Sequence, residues 1–576
     1  MSAGEAARRA FGSGADAPDA PWWAQLSELP PDRPAGSASL GTDVADVVVV
    51  GSGAAGFTAA IIAADRGCSV AMLEAGEVGG GTTFKSGGGF WIPNNSLMRA
   101  RGREDDRDET LRYMASLSFP ELFDPDAPRF GLPERDYELL TTYFDSASVA
   151  VDELIRIGAL RVREFQSFSG EYEGMVSYHS DLAEEWGRHL AARAPDGQQE
   201  LGSGLITQLA AAARERGVEL AVRHRVVGVE LDDSGAAVGV RVDTPDGERK
   251  IAARRGVVFA SGGFTHDPDR VERFFRGPIY GGGAVPTNRG DLIGIAEELG
   301  AELGNLDQGW LAQVPIEAAL ERREQDELLV FMPSGDSMVF VDAAGRRVVN
   351  EKQMYHERGA IHFARDADGG FPNRLLFMVY DEAVASDPRP WSNPWPAGRS
   401  DDPYVMKADT LADLAGEIET RLERLAPHTE GFELQPDFAS NLEATIDRFN
   451  QMAEAGIDED FGRGETTHER DWNRPARPGN EAKNPMMFPL AADGPYYAVI
   501  LVAATLDTNG GPRVNSDAQI VRPDGTPIPG LYGAGNCIAS PAAEAYWSGG
   551  STLGPAMTFG YLAGAHVAAE PRRNEE

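Results

Sequence analysis

The run DVVVVGSGAAGFTAAIIAADRGCSVAMLEAG, residues 46–76, leaves this chain few folds to choose from. A β-branched run ends in glycines, an Ala-rich helix follows, and a second short strand completes a βαβ unit. Gly51 permits the tight turn, Gly53 lets backbone approach a pyrophosphate, and Gly56 allows close packing of helix on strand. Ser52, Ala54 and Ala55 complete the loop, and the helix N-terminus favours phosphate charge. Glu74, eighteen positions past Gly56, would accept hydrogen bonds from ribose hydroxyls, with Ala75 beside it. The unit predicts an α/β chain with a Rossmann-like domain and a dinucleotide site.

A second glycine-rich run, EVGGGTTFKSGGGFWIPNN at 77–95, is more than a simple nicotinamide dinucleotide needs. In flavoproteins a segment here wraps the diphosphate and reaches the isoalloxazine. Gly80, Gly81, Thr82, Thr83, Ser86, Gly87, Gly88 and Gly89 are therefore expected to line FAD. Two later strands also run into glycines, at Ala260, Ser261, Gly262 and Gly263 and again at Gly535 and Asn536. Val226, in a strand pattern, and Ser551, Thr552 and Leu553, at a helix start, complete the expected cofactor set.

Helical patterns are expected from about 109 to 157 and from about 201 to 216. The stretch 218–247, with its Asp/Gly turns, predicts an antiparallel meander. From about 280 to 480 the texture changes to scattered Trp, Pro and charge. Within it, TLADLAGEIETRLERLA predicts an amphipathic helix and PRPWSNPWPAGRSDDP, 388–403, a loop. Strand and glycine texture returns after about 485. The expected organisation is a flexible tail over 1–42, a cofactor-binding domain from 43–283 and 485–570, and an inserted α+β substrate domain over 284–484.

An excess of 90 Asp+Glu over 53 Lys+Arg gives a net charge of −37, which repels nucleic acid and anionic membrane surfaces. It fits a salty habitat or an acidic cytoplasmic proteome equally. The two cysteines, Cys68 and Cys537, are too few for a disulfide framework and lack zinc-like spacing, so no metal is expected and a reduced cytoplasm fits. The N-terminal stretch reads as neither a signal peptide nor a twin-arginine leader. No run approaches the roughly 20 apolar residues of a membrane helix, which leaves shallow docking on a membrane open.

The motifs GSGAAG, SGGGFWIPNN, VVNE, PGLYGAGN and STLGPAMTFGYLAG resemble the FAD-dependent fumarate reductase and 3-ketosteroid dehydrogenase superfamily over roughly 43–570. FWIPNN and GPAMTFGYLAG look most like 3-ketosteroid Δ1-dehydrogenases, which remove hydrogens from carbons 1 and 2 of a 3-ketosteroid and pass a hydride to flavin N5. Fumarate reductases place an Arg proton donor after an Asn-Glu pair; VVNEKQMYHERG has Tyr355 at that spacing. The reductases also hold dicarboxylates with a His and an Arg, where this chain has Asp507 and Trp547, with Arg513 nearby.

The resemblance implies that the Tyr546 hydroxyl and the Gly550 backbone N–H bind the substrate's 3-carbonyl as an oxyanion hole, and that Tyr355 takes the proton from carbon 2. Lowering a phenol from about 10 to about 7 would require roughly 4 kcal/mol, a demand that concerted hydride loss lessens. A third Tyr bonding the base is expected in SGEYEGMVSYHSDLAEE, at Tyr178 or Tyr172. The family's proline in that stretch is missing here. Trp547 reads as pocket wall, His179 and His356 as polar surface residues, and Arg513 as structural or near the flavin.

The function expected is FAD-dependent 1,2-desaturation of a 3-ketosteroid, with an external acceptor such as a quinone. The alternatives are desaturation at the 4,5 bond, a smaller cyclic ketone such as cyclohexanone, or reduction of an activated double bond.

Overall fold

A computed structural model describes residues 33–37, 39–182, 186–322, 333, 335–387, 403–473 and 479–573. It begins with β1 (Val44–Val50), α1 (Ala54–Asp65) and β2 (Val70–Glu74). β1 is flanked on both sides by parallel partners, which is why four consecutive valines are needed: each face of the strand is buried. Next come β3 (Phe90–Trp91), α2 (Arg107–Ser118), α3 (Glu134–Arg156), β4 (Val162–Glu164) and β5 (His189–Ala192). After α4 (Gly202–Glu215), β6 (Glu219–Val222) pairs parallel with β2. The predicted meander is β7 (Arg225–Leu231), β8 (Ala237–Thr244) and β9 (Gly247–Phe259), whose last strand returns parallel beside β1.

Two expectations are corrected in this half. The long helix is two helices, because Pro120, Pro125, Pro128 and Pro133 fall between Ser118 and Glu134 and each removes a backbone donor. The tail ends before residue 42: Ser37 bonds both Leu220 and Val222 of β6, and Pro34 accepts from Gly79. Residues 1–32 lie outside the described residues.

The inserted part holds β10 (Leu303–Gly304), β11 (Gly309–Pro315), β12 (Met338–Val341), α5 (Tyr355–Ala360), β13 (Leu375–Asp381), β14 (Met406–Ala408), α6 (Leu411–Thr429), α7 (Phe438–Ala455), α8 (Thr467–Asn473) and β15 (Tyr496–Thr508). Strands β11, β12, β13, β14 and β15 form a second, antiparallel sheet among the described residues, with β15 against β11, β13 and β14. Leu414, Ile418 and Leu422 of α6 and Leu442, Ile446 and Phe449 of α7 recur at helical spacing and pack on one face of that sheet. β15 therefore belongs with the insertion, and the boundary expected at residue 485 moves past Thr508. The stretch 388–402, nearly all of the expected loop, lies outside the described residues.

The chain then passes through β16 (Gly511–Pro512), β17 (Gln519–Val521) and β18 (Pro527–Gly533) to α9 (Leu553–Ala569). β18 pairs parallel with β9, so the first sheet runs β17-β18-β9-β1-β2-β6 and draws on both ends of the chain. α9 crosses α1 at backbone contact. A Cβ on Gly560 would stand 2.6 Å from the Ala55 carbonyl oxygen, and one on Gly564 2.5 Å from that of Ala59. Small residues four apart on both helices make this crossing. Among the described residues no helix is long and apolar enough to cross a membrane. Gly560→Val should lower stability by about 2–3 kcal/mol through overpacking, while Ala569→Val, exposed at the helix end, stays within about 0.5 kcal/mol by denaturant midpoint.

Candidate active site

The end of β1 turns at Gly51, whose φ of 102° suits glycine and whose Cβ would collide with the Ala260 carbonyl. Gly56 likewise has no room for a side chain against Gly51. Gly53 differs: a Cβ there would meet only Thr83 Oγ1, at 3.5 Å. α1 starts at Gly53 with no capping side chain of its own, so open space lies in front of a helix N-terminus, the arrangement that receives a phosphate. Thr83 Oγ1 accepts from the Ala54 N–H at 3.2 Å, and Gly81 packs near Gly53.

Glu74 is buried and accepts from Ser52 N, Ser52 Oγ and Gly76 N, while Ser52 Oγ accepts from Gly80 N. Ala75 follows it, and the next strand returns beside it, His224 N bonding Glu74 O two residues before Val226. Gly535 closes from the other end of the chain, its Cβ position 3.2 Å from Ala55. A small opening lies between Trp310, Gly535, Asn536, Thr552, Pro555 and Phe559. The residues present fit FAD: a helix N-terminus open at Gly53 as a phosphate cradle, and a buried carboxylate for ribose.

Other expected cofactor residues have local duties as well. Ser86 accepts from Gly88 and donates to Thr83 O, Thr82 Oγ1 accepts from Val285 N, and Ser551 closes a turn on Ser548. Gly88 lies against Leu201 and Gly202, Gly89 against Phe165, and Gly87 faces open space. Ser261 sits beside the Cys537 thiol, and Gly262 has a φ of 76° against Asn288. Leu553 begins α9.

Three tyrosines converge from three segments. Tyr355 opens α5, Tyr546 precedes α9, and Tyr178 comes from the loop before β5; all are buried. The Tyr355 hydroxyl donates to that of Tyr546 at 2.7 Å, and the Tyr178 hydroxyl lies 3.5 Å from Tyr355. The Tyr178 and Tyr546 rings stack at 5.8 Å, and Tyr355 meets Tyr546 edge-on at 5.3 Å. Of the two candidates for the third position, Tyr178 is the one in the cluster. Gly550 has a φ of 92°, and its Cβ would stand 2.6 Å from Phe90 Cα, so the loop can close only on glycine. Its backbone N–H acts on the Tyr546 hydroxyl.

Burial pushes all three phenols well above their ordinary range. The surroundings of Tyr355 therefore raise its phenol rather than lower it toward about 7. A low-dielectric site favours the neutral form of a phenol.

Asp507 ends β15 wholly inside the protein. Its carboxylate accepts from Gly263 N at 2.8 Å, Thr265 Oγ1 at 3.0 Å, Asn288 Nδ2 at 2.7 Å, Asn536 Nδ2 at 3.3 Å and Thr508 N at 3.0 Å. Burial raises its carboxyl above the usual range while these bonds oppose the rise. Asn536 in turn accepts from Trp310 Nε1 at 3.0 Å, and the Trp310 ring stands edge-on to Tyr546 at 5.5 Å.

Three sequence readings are corrected here. Trp547 is not pocket wall: it is fully buried, stacked with Tyr143 and close to Trp91, with Nε1 on Ser118. His356 is buried, Nδ1 accepting from Leu311 N and Nε2 bonded to Glu544 O, and burial takes it down to about 4. His179 is mostly covered and pairs with Glu357 at 3.2 Å. Arg513 is held by Asp136 and Glu302.

The sequence reading also missed α8, whose His468 and Trp472 pack on Tyr178 at 4.5 and 5.8 Å. Burial lowers His468 to about 3, so it is a neutral wall. Ser548 Oγ accepts from Tyr178 N and bonds His189, tying that loop to the Tyr546 loop. The ERDW stretch carried no motif that marked it, since its partners are distant in sequence.

The chain matches the family described as FAD binding domain over residues 46–553. It is 32% identical over 567 residues to a 4-oxocyclohexanecarboxylate 2-dehydrogenase of Sinomonas cyclohexanicum, covering 91% of this chain and 93% of the relative. It is 29% identical over 598 residues to a 3-oxosteroid 1-dehydrogenase of Mycobacterium tuberculosis, covering 91% and 98%. The crystal structure of 3-ketosteroid delta1-dehydrogenase from Sterolibacterium denitrificans, in complex with 1,4-androstadiene-3,17-dione, superimposes with a TM-score of 0.75 at 25% identity, over 92% of this chain and all of that one.

Removing the Asp507 carboxylate would strand its buried donors. Asp507→Ala should cost about 3 kcal/mol of stability and weaken FAD retention, read by chemical denaturation and by the flavin absorbance left after gel filtration.

Proposed function

The chain belongs to the FAD binding domain family, an FAD-dependent oxidoreductase acting on a CH–CH bond, and from that premise we propose that it desaturates 3-ketosteroids at the 1,2 bond. The observation that carries this reading is the pair of hydroxyls on Tyr355 and Tyr546, 2.7 Å apart, with the Gly550 N–H acting on the second. A ketone's oxygen and its α-hydrogen sit on adjacent carbons. An oxyanion donor and a base for that pair must themselves be neighbours.

In this reading Tyr546 and Gly550 donate to the carbonyl oxygen and stabilise negative charge developing there. The α-proton is acidified by that polarisation and passes to the oxygen of ionised Tyr355, which becomes the neutral phenol. The Tyr178 hydroxyl lies 3.5 Å from that of the base, and the rings of half-buried Trp472 and buried Trp310 stand edge-on to Tyr355 and Tyr546. Bound FAD supplies the two-electron acceptor for the hydride lost from the β-carbon. The product is the conjugated enone, and the electrons then pass to an external acceptor such as a quinone.

A dicarboxylate would find little to hold it. The positions where reductases place cations carry Asp507 and Trp547, and Arg513 is committed to two carboxylates. A second reading, ring ketones of cyclohexanone size, is favoured by the 32% identity to the Sinomonas enzyme, whose named substrate is such a ketone. Both readings use the same hydroxyl pair.

Tyr355→Phe should retain FAD and slow flavin reduction by the ketone about 10²- to 10⁴-fold, whereas Tyr546→Phe slows it about 10²- to 10³-fold and weakens ketone binding. Bleaching of Tyr355→Phe at the wild-type rate would remove it as the base. Because burial raises the Tyr355 phenol, the phenolate fraction is small at neutral pH. The reduction rate should therefore climb steadily with pH from about 7 to 10, without a plateau near neutrality.

A further inference from the structure

Tyr178 and Tyr355 lie 177 residues apart in sequence, and their hydroxyls meet at 3.5 Å, too long to hold each other firmly. A charged contact spans the same two segments. His179, the residue after Tyr178, places Nε2 3.2 Å from Oε1 of Glu357, two residues after Tyr355. Each side chain is more than four-fifths covered. Glu357 Oε2 is buried with no hydrogen-bond partner among the described residues, so compensation of the carboxylate falls on His179.

We propose that His179 and Glu357 are a positioning pair, which registers Tyr178 against Tyr355 and cancels a carboxylate charge beside the base. The inference rests on Tyr355 as the base. A Glu357 charge left alone would act on Tyr113, Tyr178, Tyr355 and Tyr546 together, disfavouring ionisation of each. The other groups facing the pair are Asp181 beside His179, His356 on α5, His468 on α8 and Arg188 near Tyr113. Burial would pull the His179 imidazole down, but Glu357 outweighs it and holds the ring above its ordinary range. Glu357 is held below the usual range, against its own burial, by His179. Over the interval between the two, both are charged.

The test uses holoenzyme and the rate of anaerobic flavin bleaching at saturating ketone. His179→Gln should slow bleaching about tenfold, the effect of raising the base by one pKa unit, with FAD content and half-saturating ketone unchanged. Adding Glu357→Gln to it should restore most of the lost rate, because the stray charge is gone. A double variant as slow as His179→Gln, or slower, would overturn the proposal. A second measurement does not depend on how His179→Gln folds. In Glu357→Gln the NMR titration of the His179 imidazole should move to lower pH than in the wild type; an unmoved titration also overturns the pair. Failure of the base assignment is separate, since it shows only as bleaching retained in Tyr355→Phe.

Discussion

A single buried carboxylate joins the parts of this protein that must meet. Asp507 leaves the end of β15 and collects donors from the Gly263 loop, from Asn288 and from Asn536, all neutral. A buried charge with no cation is costly, and several converging hydrogen bonds are the alternative way of holding it. The consequence is geometric. The end of a central strand of the inserted sheet is fixed to the loop after β9, and through Asn536 and Trp310 the same fixing reaches the Tyr546 ring. An acid here also repels the carboxylates that a cation at this point would attract.

Around that anchor the site is built to be dry. Tyr178, Tyr355 and Tyr546 are buried beside Trp310, Trp472 and His468, and burial favours the neutral form of each phenol. A low dielectric makes each hydrogen bond to a developing oxyanion stronger than it would be in water, and it also makes a resident phenolate harder to form. Polarisation of the carbonyl thus eases proton loss, while the small ionised fraction of Tyr355 limits its rate near neutrality.

Much of the first sheet was legible in the sequence because its signals are local. A valine run, spaced glycines and a carboxylate at a fixed interval define β1, α1 and β2 within 31 residues. β15 was misplaced because an apolar run buried on both faces reads alike in either sheet; only its pairing with β11 and β13 shows which one it joins. The break in the predicted long helix was written in four prolines, which the apolar periodicity on either side outweighed. In the site, Tyr355, Tyr546 and Gly550 stood out only through a family resemblance. His356, Trp547 and α8 did not, since a histidine or tryptophan carries no local mark of what a distant segment will lay against it.

The most direct measurement is anaerobic mixing of the purified holoenzyme with a 1,2-saturated 3-ketosteroid, cyclohexanone and succinate in turn, following flavin absorbance and identifying the product. The account predicts bleaching by the steroid, with a new double bond between carbons 1 and 2 of its A ring, and none by succinate. Bleaching by succinate with the cyclic ketones inert would contradict it.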